Sequence, residues 1–404
     1  MGNPIMPRSE RLASLDAYRG LIMLTLAAAA FGLAKTSQQF PDSKAWRYIE
    51  FHFEHTEWVS QKWVAGVSYW DLIQPSFMFM VGVSMPFSYS KRAERGDKYW
   101  KLLLHALIRS VVLVLLGVFL ASAWDKRTDW IFTNVLAQIG LGYVFVFLLL
   151  KRETWEQLLV AGVVLFSYWF LFVVYPVDGA TRLADHFQIH TNFAAHFDVL
   201  LLNLFPRATP FDQNKGGYTT LNFVPSMVTM LFGLMAGELL RSERSPREKV
   251  LRLVGAGAIC LGLGIAAGYT ICPVVKRIWT PSWTLFSGGY VLWILAAFYL
   301  VVDVIGWRGW TYPLQVFGTN SILVYFMGQL LRGWTADQLR IHLGSNIFRR
   351  VADWAQRMIN YSLVSFDAML HPGDYSPIVQ SLMVLLVFWL ICWWLYRQKL
   401  FVRI

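Results

Sequence analysis

Charge is what this chain is short of. Only 15% of its 404 residues are Asp, Glu, Lys or Arg, against roughly 25% in a soluble globular domain. With 56% hydrophobic residues, that shortage excludes an ordinary soluble fold and points to an integral membrane protein. Cysteine is scarce too: Cys260, Cys272 and Cys392 are the whole complement, each within or at the end of an apolar run. They read as small buried apolar residues, which excludes a disulfide-built scaffold. No internal repeat is visible, so the inverted-repeat signature of many secondary transporters is missing. No low-complexity segment occurs, and no stretch has the length and polarity of a separate soluble domain. The longest non-spanning pieces are 35–65, 177–218 and 333–376.

What is present is a series of apolar runs, each near the 20 residues that span a bilayer as a helix. They cover 12–34, 66–89, 102–123, 131–150, 156–176, 219–240, 250–271, 283–303, 313–332 and 377–396. The expectation is an all-α, polytopic integral membrane helical bundle of about ten transmembrane helices. Residues 1–404 form one transmembrane domain in this reading. The net charge of +11 is placed by topology and calls for no nucleic acid. Lys and Arg gather in 91–101, 151–153, 241–252 and the tail after 396, all on one side of a ten-span chain. The positive-inside rule makes that side, and both termini, cytoplasmic. The pieces 35–65, 177–218 and 333–376 then become outer loops. The run after the basic N-terminus is read as a retained span, not a cleaved leader, because it extends upstream to Leu12 and carries Asp16 and Arg19.

Within such a chain every ionisable group inside a span is a candidate for function. Asp71 lies in WDLIQPSFMFMVGVSMPFSYS (70–90), with Gln74 at i+3 and Pro75 next to bend the helix. Asp16 and Arg19 share a helix face near the cytoplasmic end of the first span. His105 and Arg109 stand one turn apart near the start of the third, close to Lys91, Arg92, Arg95, Lys98 and Lys101, a set suited to phosphates. Lys276 and Arg277 occupy a short outer loop, against the orientation rule. Gln138, Asn222 and Asn320 are amides in or near apolar runs, each needing a hydrogen-bond partner. His52 and His55 precede the Asp71 helix, and their spacing is not that of a zinc peptidase. A second group, Asp185, His186, His190, His196 and Asp198, reads as an amphipathic turn. No metal is expected at either place. The outer loops also carry Trp46, Trp58, Trp63, Trp334 and Trp354, either an interfacial belt or sugar-stacking surfaces.

Taken in order, several stretches resemble the transmembrane acetyltransferase family of heparan-α-glucosaminide N-acetyltransferase and its bacterial relatives. They are SLDAYRGL (14–21), HTEW (55–58), WDLIQPSFMFMVGVSMPFS (70–88), VLAQIGLGY (135–143), PSMVTMLFGLMAGELL (225–240), PVVKRIWTPSWT (273–284) and FGTNSILVYF (317–326). The resemblance implies a membrane-bound acyltransferase that takes acetyl from cytosolic acetyl-CoA and delivers it to an extracytoplasmic amino sugar or glycan. It implies His55 as the active residue, with His52 the competitor, and Asp71 as its orienting carboxylate. Trp58, Gln74, Asn222, Lys276 and Asn320 would serve the substrate, Asn222 or Asn320 as oxyanion donor. Asp16, Arg19, His105, Arg109 and Gln138 would serve acetyl-CoA. Membrane lipid and a second copy of the chain are the other candidate partners, and the bacterial plasma membrane the expected location. One departure from the relatives is the inserted VSQKWVA (59–65) between the histidine and Gly66. The alternative is a transporter or flippase of a saccharide or lipid-linked sugar, using a similar cavity without covalent chemistry.

Overall fold

Apolar runs in lipid satisfy their backbone only as helices or closed barrels. The computed structural model describes residues 12–362 and 373–402 and is helical almost throughout. In chain order the helices are α1 (Ala13–Ala27), α2 (Leu33–Ser37), α3 (Lys44–Phe53), α4 (Tyr69–Glu94), α5 (Tyr99–Ser122) and α6 (Val135–Leu148). Then come α7 (Thr154–Val174), α8 (Phe193–Leu202), α9 (Phe223–Arg241), α10 (Pro246–Thr270) and α11 (Pro281–Phe298). The last are α12 (Tyr312–Thr319), α13 (Ser321–Phe326), α14 (Arg332–Leu343), α15 (Ile347–Ser362) and α16 (Ser376–Arg397). Two short strands, β1 (Gln61–Lys62) and β2 (Gly66–Val67), pair antiparallel with Gln61 opposite Val67. Part of the expected outer loop 333–376, residues 363–372, lies outside the described residues.

The molecule is an all-α polytopic bundle. Among the described residues six helices are long and apolar enough to cross a membrane. They become seven if α1 and the bent segment after it count as one span. Three of the ten expected runs fall short for separate reasons. Helix α4 has 26 residues, but Gln74, Pro75, Ser76, Ser84, Pro86 and Ser88 dilute its apolar stretch. Helix α6 has only 14, because Asn134 caps it, its Oδ1 accepting from the Ala137 N–H at 3.1 Å. The run 313–332 breaks at Asn320 into α12 and α13 and ends in a π-helical turn. The 54° bend after α1 follows from a run of left-handed residues, Ala29, Ala30, Phe31 and Gly32.

Burial sorts the helices into two layers. The apolar stretches containing α9 and α11 are 67% and 61% buried, whereas those of α7 and α16 are 22% and 17% buried. The first two belong to the centre, with α1, α4 and α6; the others show most of their surface outward. Glycine makes the central contacts close. A Cβ on Gly82 of α4 would lie 1.9 Å from the Met230 carbonyl oxygen of α9, and one on Gly233 of α9 would lie 2.0 Å from that of Phe79. Only a side chain of one hydrogen lets two helix backbones approach so near. Gly20 of α1 and Gly318 of α12 do the same for their pair.

The bundle has two chemically different ends. At one, the start of α1 meets the ends of α4 and α9 and the tail after α16. Its backbone is anchored by Asp303, whose carboxylate accepts from the Ala13 and Ser14 N–H groups at 3.2 and 3.3 Å. This is the basic end. At the other, the loop end, the start of α4 meets the α10–α11 turn and the segment 216–222.

Candidate active site

Asp71 opens the site. It sits in the first turn of α4, only 1% exposed. A carboxylate so placed needs partners, and it has three. His55 Nδ1 lies 2.8 Å from Oδ1, Lys276 Nζ donates to Oδ1 at 3.1 Å, and the Thr56 hydroxyl donates to Oδ2 at 2.8 Å. Lys276 is itself 3% exposed, so the pair is a buried one. Such pairs are held by hydrogen bonds as much as by charge.

Asp71 and Trp70 assign the His55 tautomer, with Lys276 Nζ also standing 3.2 Å from Nδ1. Trp70 Nε1–H donates to Nε2 at 3.2 Å, so Nε2 carries the lone pair and Nδ1 the proton given to Asp71. This is the arrangement in which a carboxylate orients a histidine base. The His55 side chain is 42% exposed, on the loop end. Its pKa falls below the usual 6.5: partial burial lowers it most, the Asp71 hydrogen bond opposes this, and Lys276 and Arg277 lower it further. The imidazole is therefore neutral near pH 7, the form that accepts a proton. The rings of Trp70 and Tyr218 stand beside it, with centroids 6.1 and 6.5 Å away.

The α10–α11 turn is held in place by the rest of the loop end. Arg277 donates to the Thr56 carbonyl at 2.8 Å and to that of Gly216 at 3.0 Å. Asn222 donates to the Arg277 carbonyl at 2.7 Å and accepts from the Thr219 hydroxyl at 2.6 Å. Asp198 accepts from the Thr220 N–H at 2.9 Å, and burial raises its pKa to about 6. The inserted segment 59–65 folds away as the β1–β2 hairpin. Trp63 at its tip takes a positive φ of 54°, and Tyr269 and Tyr290 hydroxyls donate to the Trp63 and Ala65 carbonyls. With the insertion looped out, His55 reaches Asp71.

His52 is not in this network. Its ring packs on Tyr48 and Phe51, at 4.5 and 5.1 Å between centroids, and only its carbonyl is engaged, by the Ser68 hydroxyl at 3.2 Å. Trp58 faces the other way, donating to the Phe187 carbonyl at 3.1 Å and packing against an apolar cluster that includes Tyr168 and Phe172. Gln74 lies about one turn below Asp71 on the same helix. In the second His/Asp group, His186 Nδ1 lies 3.1 Å from the Tyr175 carbonyl and Asp185 accepts from the Thr181 and Arg182 N–H groups. No metal-binding cluster of three or more His, Cys, Asp or Glu forms among the described residues.

From the basic end a cavity of about 730 Å³ enters the bundle. Asp16, Arg19, His105 and Arg109 line it, together with Lys91, Arg92, Arg95 and Arg241. Arg19 lies 3.6 Å from Asp16 and donates to the Ser84 hydroxyl at 2.6 Å. Arg109 stacks its guanidinium on Tyr143, 4.9 Å from the ring centroid, and its buried Nε has no hydrogen-bond partner. An orphaned donor in a cation-lined cavity suits a phosphate-bearing ligand. Apolar side chains of Phe77, Leu113, Leu136 and Ile139 line the same cavity. Phe77 is six residues along α4 from Asp71, about 9 Å at the helical rise.

Two amides lie at the ends opposite to those expected. Asn320 sits at the basic end, donating to the Leu400 carbonyl at 3.3 Å and accepting from the Val402 N–H at 2.9 Å. Gln138 sits toward the loop end, donating to the carbonyls of Phe132, Thr219 and Thr220 at 3.2, 3.2 and 3.3 Å. Sequence reasoning missed Thr56 and Trp70. Both adjoin residues it singled out, and that adjacency was the available signal.

The family profile described as heparan-alpha-glucosaminide N-acetyltransferase, catalytic, matches residues 11–264. This stretch includes His55, Asp71 and most of the basic cavity, and stops short of Lys276. The chain is 25% identical to heparan-alpha-glucosaminide N-acetyltransferase of Mus musculus over 392 residues, covering 82% of this chain and 55% of that one. It is 25% identical to the Homo sapiens protein of the same name over 405 residues, 83% of this chain and 57% of that one. The chain thus spans little more than half the length of these relatives. With well over half of its residues matched by the profile, and the His–Asp pair inside the match, this chain belongs to the heparan-alpha-glucosaminide N-acetyltransferase catalytic family.

Proposed function

We propose that this protein is a membrane acyltransferase that carries the acetyl group of cytosolic acetyl-CoA to an amino sugar or glycan on the far side of the membrane. In this reading residues 1–404 act as one transmembrane unit of ten spans, with the basic end in the cytoplasm and His55 outside, in a bacterial plasma membrane. The observation that supports it most is the alignment of two features on one helix. Helix α4 bears Asp71 at its loop end and lines the cation-rich cavity from Phe77 onward.

Arg19, Arg109 and their neighbours would hold the phosphates and ribose of acetyl-CoA, and Asp16 would keep Arg19 oriented. The pantetheine arm would carry the thioester past the apolar lining at Phe77 toward Asp71. At the loop end His55 Nε2 takes the proton from the acceptor's amine as its nitrogen attacks the thioester carbonyl. The tetrahedral intermediate then collapses: the C–S bond breaks and the sulfur receives the proton back from the imidazolium. Amine and thioester become amide and free CoA thiol, and the enzyme is restored. Asp71 stabilises the transient imidazolium. Lys276 keeps Asp71 in place and biases His55 toward the unprotonated form needed at the start. Asn222 contributes at one remove, by fixing the Arg277 carbonyl and with it the Lys276 turn.

Release of CoA thiol from acetyl-CoA by the purified protein, with glucosamine as first acceptor, tests the reading. Acceptor-dependent thiol release and an N-acetylated product are expected. Acetyl-CoA that neither binds nor reacts with the folded protein would overturn it and leave the transporter alternative.

A further inference from the structure

The nitrogen of His55 that must take the acceptor's proton is already occupied. Trp70 Nε1–H donates to Nε2 at 3.2 Å, while Nδ1 is held by Asp71 at 2.8 Å. Asp71 is buried and triply bonded, so the Nδ1 side is rigid. Trp70 is the opposite: half-buried, at the second residue of α4, with its indole reaching back over an imidazole that is 42% exposed. An acceptor approaching Nε2 meets the indole first. Tyr218 stands near the imidazole as well, its ring centroid 6.5 Å away, with the Arg277 guanidinium 5.8 Å from the Tyr218 ring. The opening to His55 is thus bordered by two aromatic side chains, Tyr218 beside the Arg277 guanidinium and Trp70, whose ring packs at the edge of the core while its N–H reaches Nε2.

Resting on the acyltransferase reading above, we propose that Trp70 is a gate on His55 Nε2, displaced by the acceptor, and then the surface on which the acceptor's ring stacks. The indole N–H satisfies the lone pair while the site is empty and leaves when an amine or hydroxyl of the acceptor replaces it. Swung aside, its face remains beside the imidazole, opposite Tyr218. A pyranose ring has an apolar face that fits such a wall; a linear amine has none. Trp70 is accordingly a specificity-determining residue that favours cyclic amino sugars over open-chain amines. It also delays reaction of the acetyl group with water, because the base is engaged until a ring enters.

Two variants separate the roles. Trp70→Phe keeps a ring and removes the N–H; Trp70→Ala removes both. Diethylpyrocarbonate, which acylates free imidazole nitrogen, is applied to the purified protein and modification of His55 is followed by peptide mass spectrometry, with His52 as internal reference. The rate at His55 relative to His52 should rise at least severalfold in Trp70→Phe. An unchanged ratio overturns the gate, and this readout needs no acetyl transfer. A rise in that ratio in a protein that transfers no acetyl group would sustain the gate while sinking the enzymatic reading. In the transfer assay, KM for glucosamine should be about tenfold higher in Trp70→Ala than in Trp70→Phe, the size of one lost aromatic contact. An open-chain amine should show no such difference. Equal glucosamine KM values in the two variants would overturn the stacking role.

Discussion

At the scale of single residues, the site's chemistry turns on which proton sits where. His55→Ala removes the proposed base and should lower turnover by about 10²–10⁴, the usual worth of general-base catalysis, with acetyl-CoA affinity retained. His52→Ala should stay within a fewfold of the parent, because that ring packs on Tyr48 and Phe51 and touches neither Asp71 nor Lys276. Steady-state turnover of the two variants checks the ordering. The pH profile adds a sign. In the proposed mechanism the active form is the neutral imidazole and its pKa lies below 6.5, so kcat/KM, once corrected for the acceptor amine's own titration, should fall only as pH drops through that lowered value. Lys276→Gln takes away one of the cations that lower it, so the acidic limb should move to higher pH. A limb that stays put would show that Lys276 does not set the protonation of His55. The sequence disclosed this site unevenly. Asp71 was legible because a carboxylate in an apolar run needs a partner, and Lys276 because a cation in a short outer loop is out of place. Thr56 and Trp70 carry no such anomaly, since a hydroxyl or an indole is ordinary at a membrane surface.

At the scale of elements, periodicity disclosed where helices lie but not where they break. The run 313–332 reads as one span, yet the chain turns at Asn320, whose amide serves the backbone of residues 400 and 402. A run length carries no information about partners 80 residues away. The same blindness placed Gln138 with the cofactor, since an apolar run shows that an amide is buried and not at what depth. Close packing was equally hidden. Gly233→Ala would put a methyl 2.0 Å from the Phe79 carbonyl oxygen. Overpacking of this kind costs roughly 1–3 kcal/mol, so thermal unfolding in detergent should shift measurably lower. Gly255, with nothing within 4 Å of its Cβ position, is the control, and Gly255→Ala should leave that contact-dependent shift absent. Asn222→Ala acts differently. It frees the Arg277 carbonyl, so kcat should fall while acetyl-CoA affinity, which the proposed function places at the other end, stays the same.

At the scale of the whole molecule, the proposal divides labour between two ends of one bundle. Arg19→Ala removes a charge-assisted contact of about 1.5–3 kcal/mol, so acetyl-CoA binding should weaken by roughly one to two orders of magnitude in a folded protein. Isothermal titration gives the value, and unchanged affinity would move the nucleotide site elsewhere. Sidedness has its own check. A cysteine at position 215 (Lys215→Cys) should react with an impermeant maleimide from outside intact cells, and reaction only from the cytoplasm would invert the orientation. The glycine contacts between α4 and α9, and between α1 and α12, bear on what kind of traffic such a bundle permits. Helices whose backbones touch cannot slide past one another without a clash, so α4 with α9, and α1 with α12, each move as one body. In the proposed function these paired helices would hold the cation-lined cavity and the His55–Asp71 pair at a set distance along α4, so that the acetyl group and not the saccharide would make the crossing.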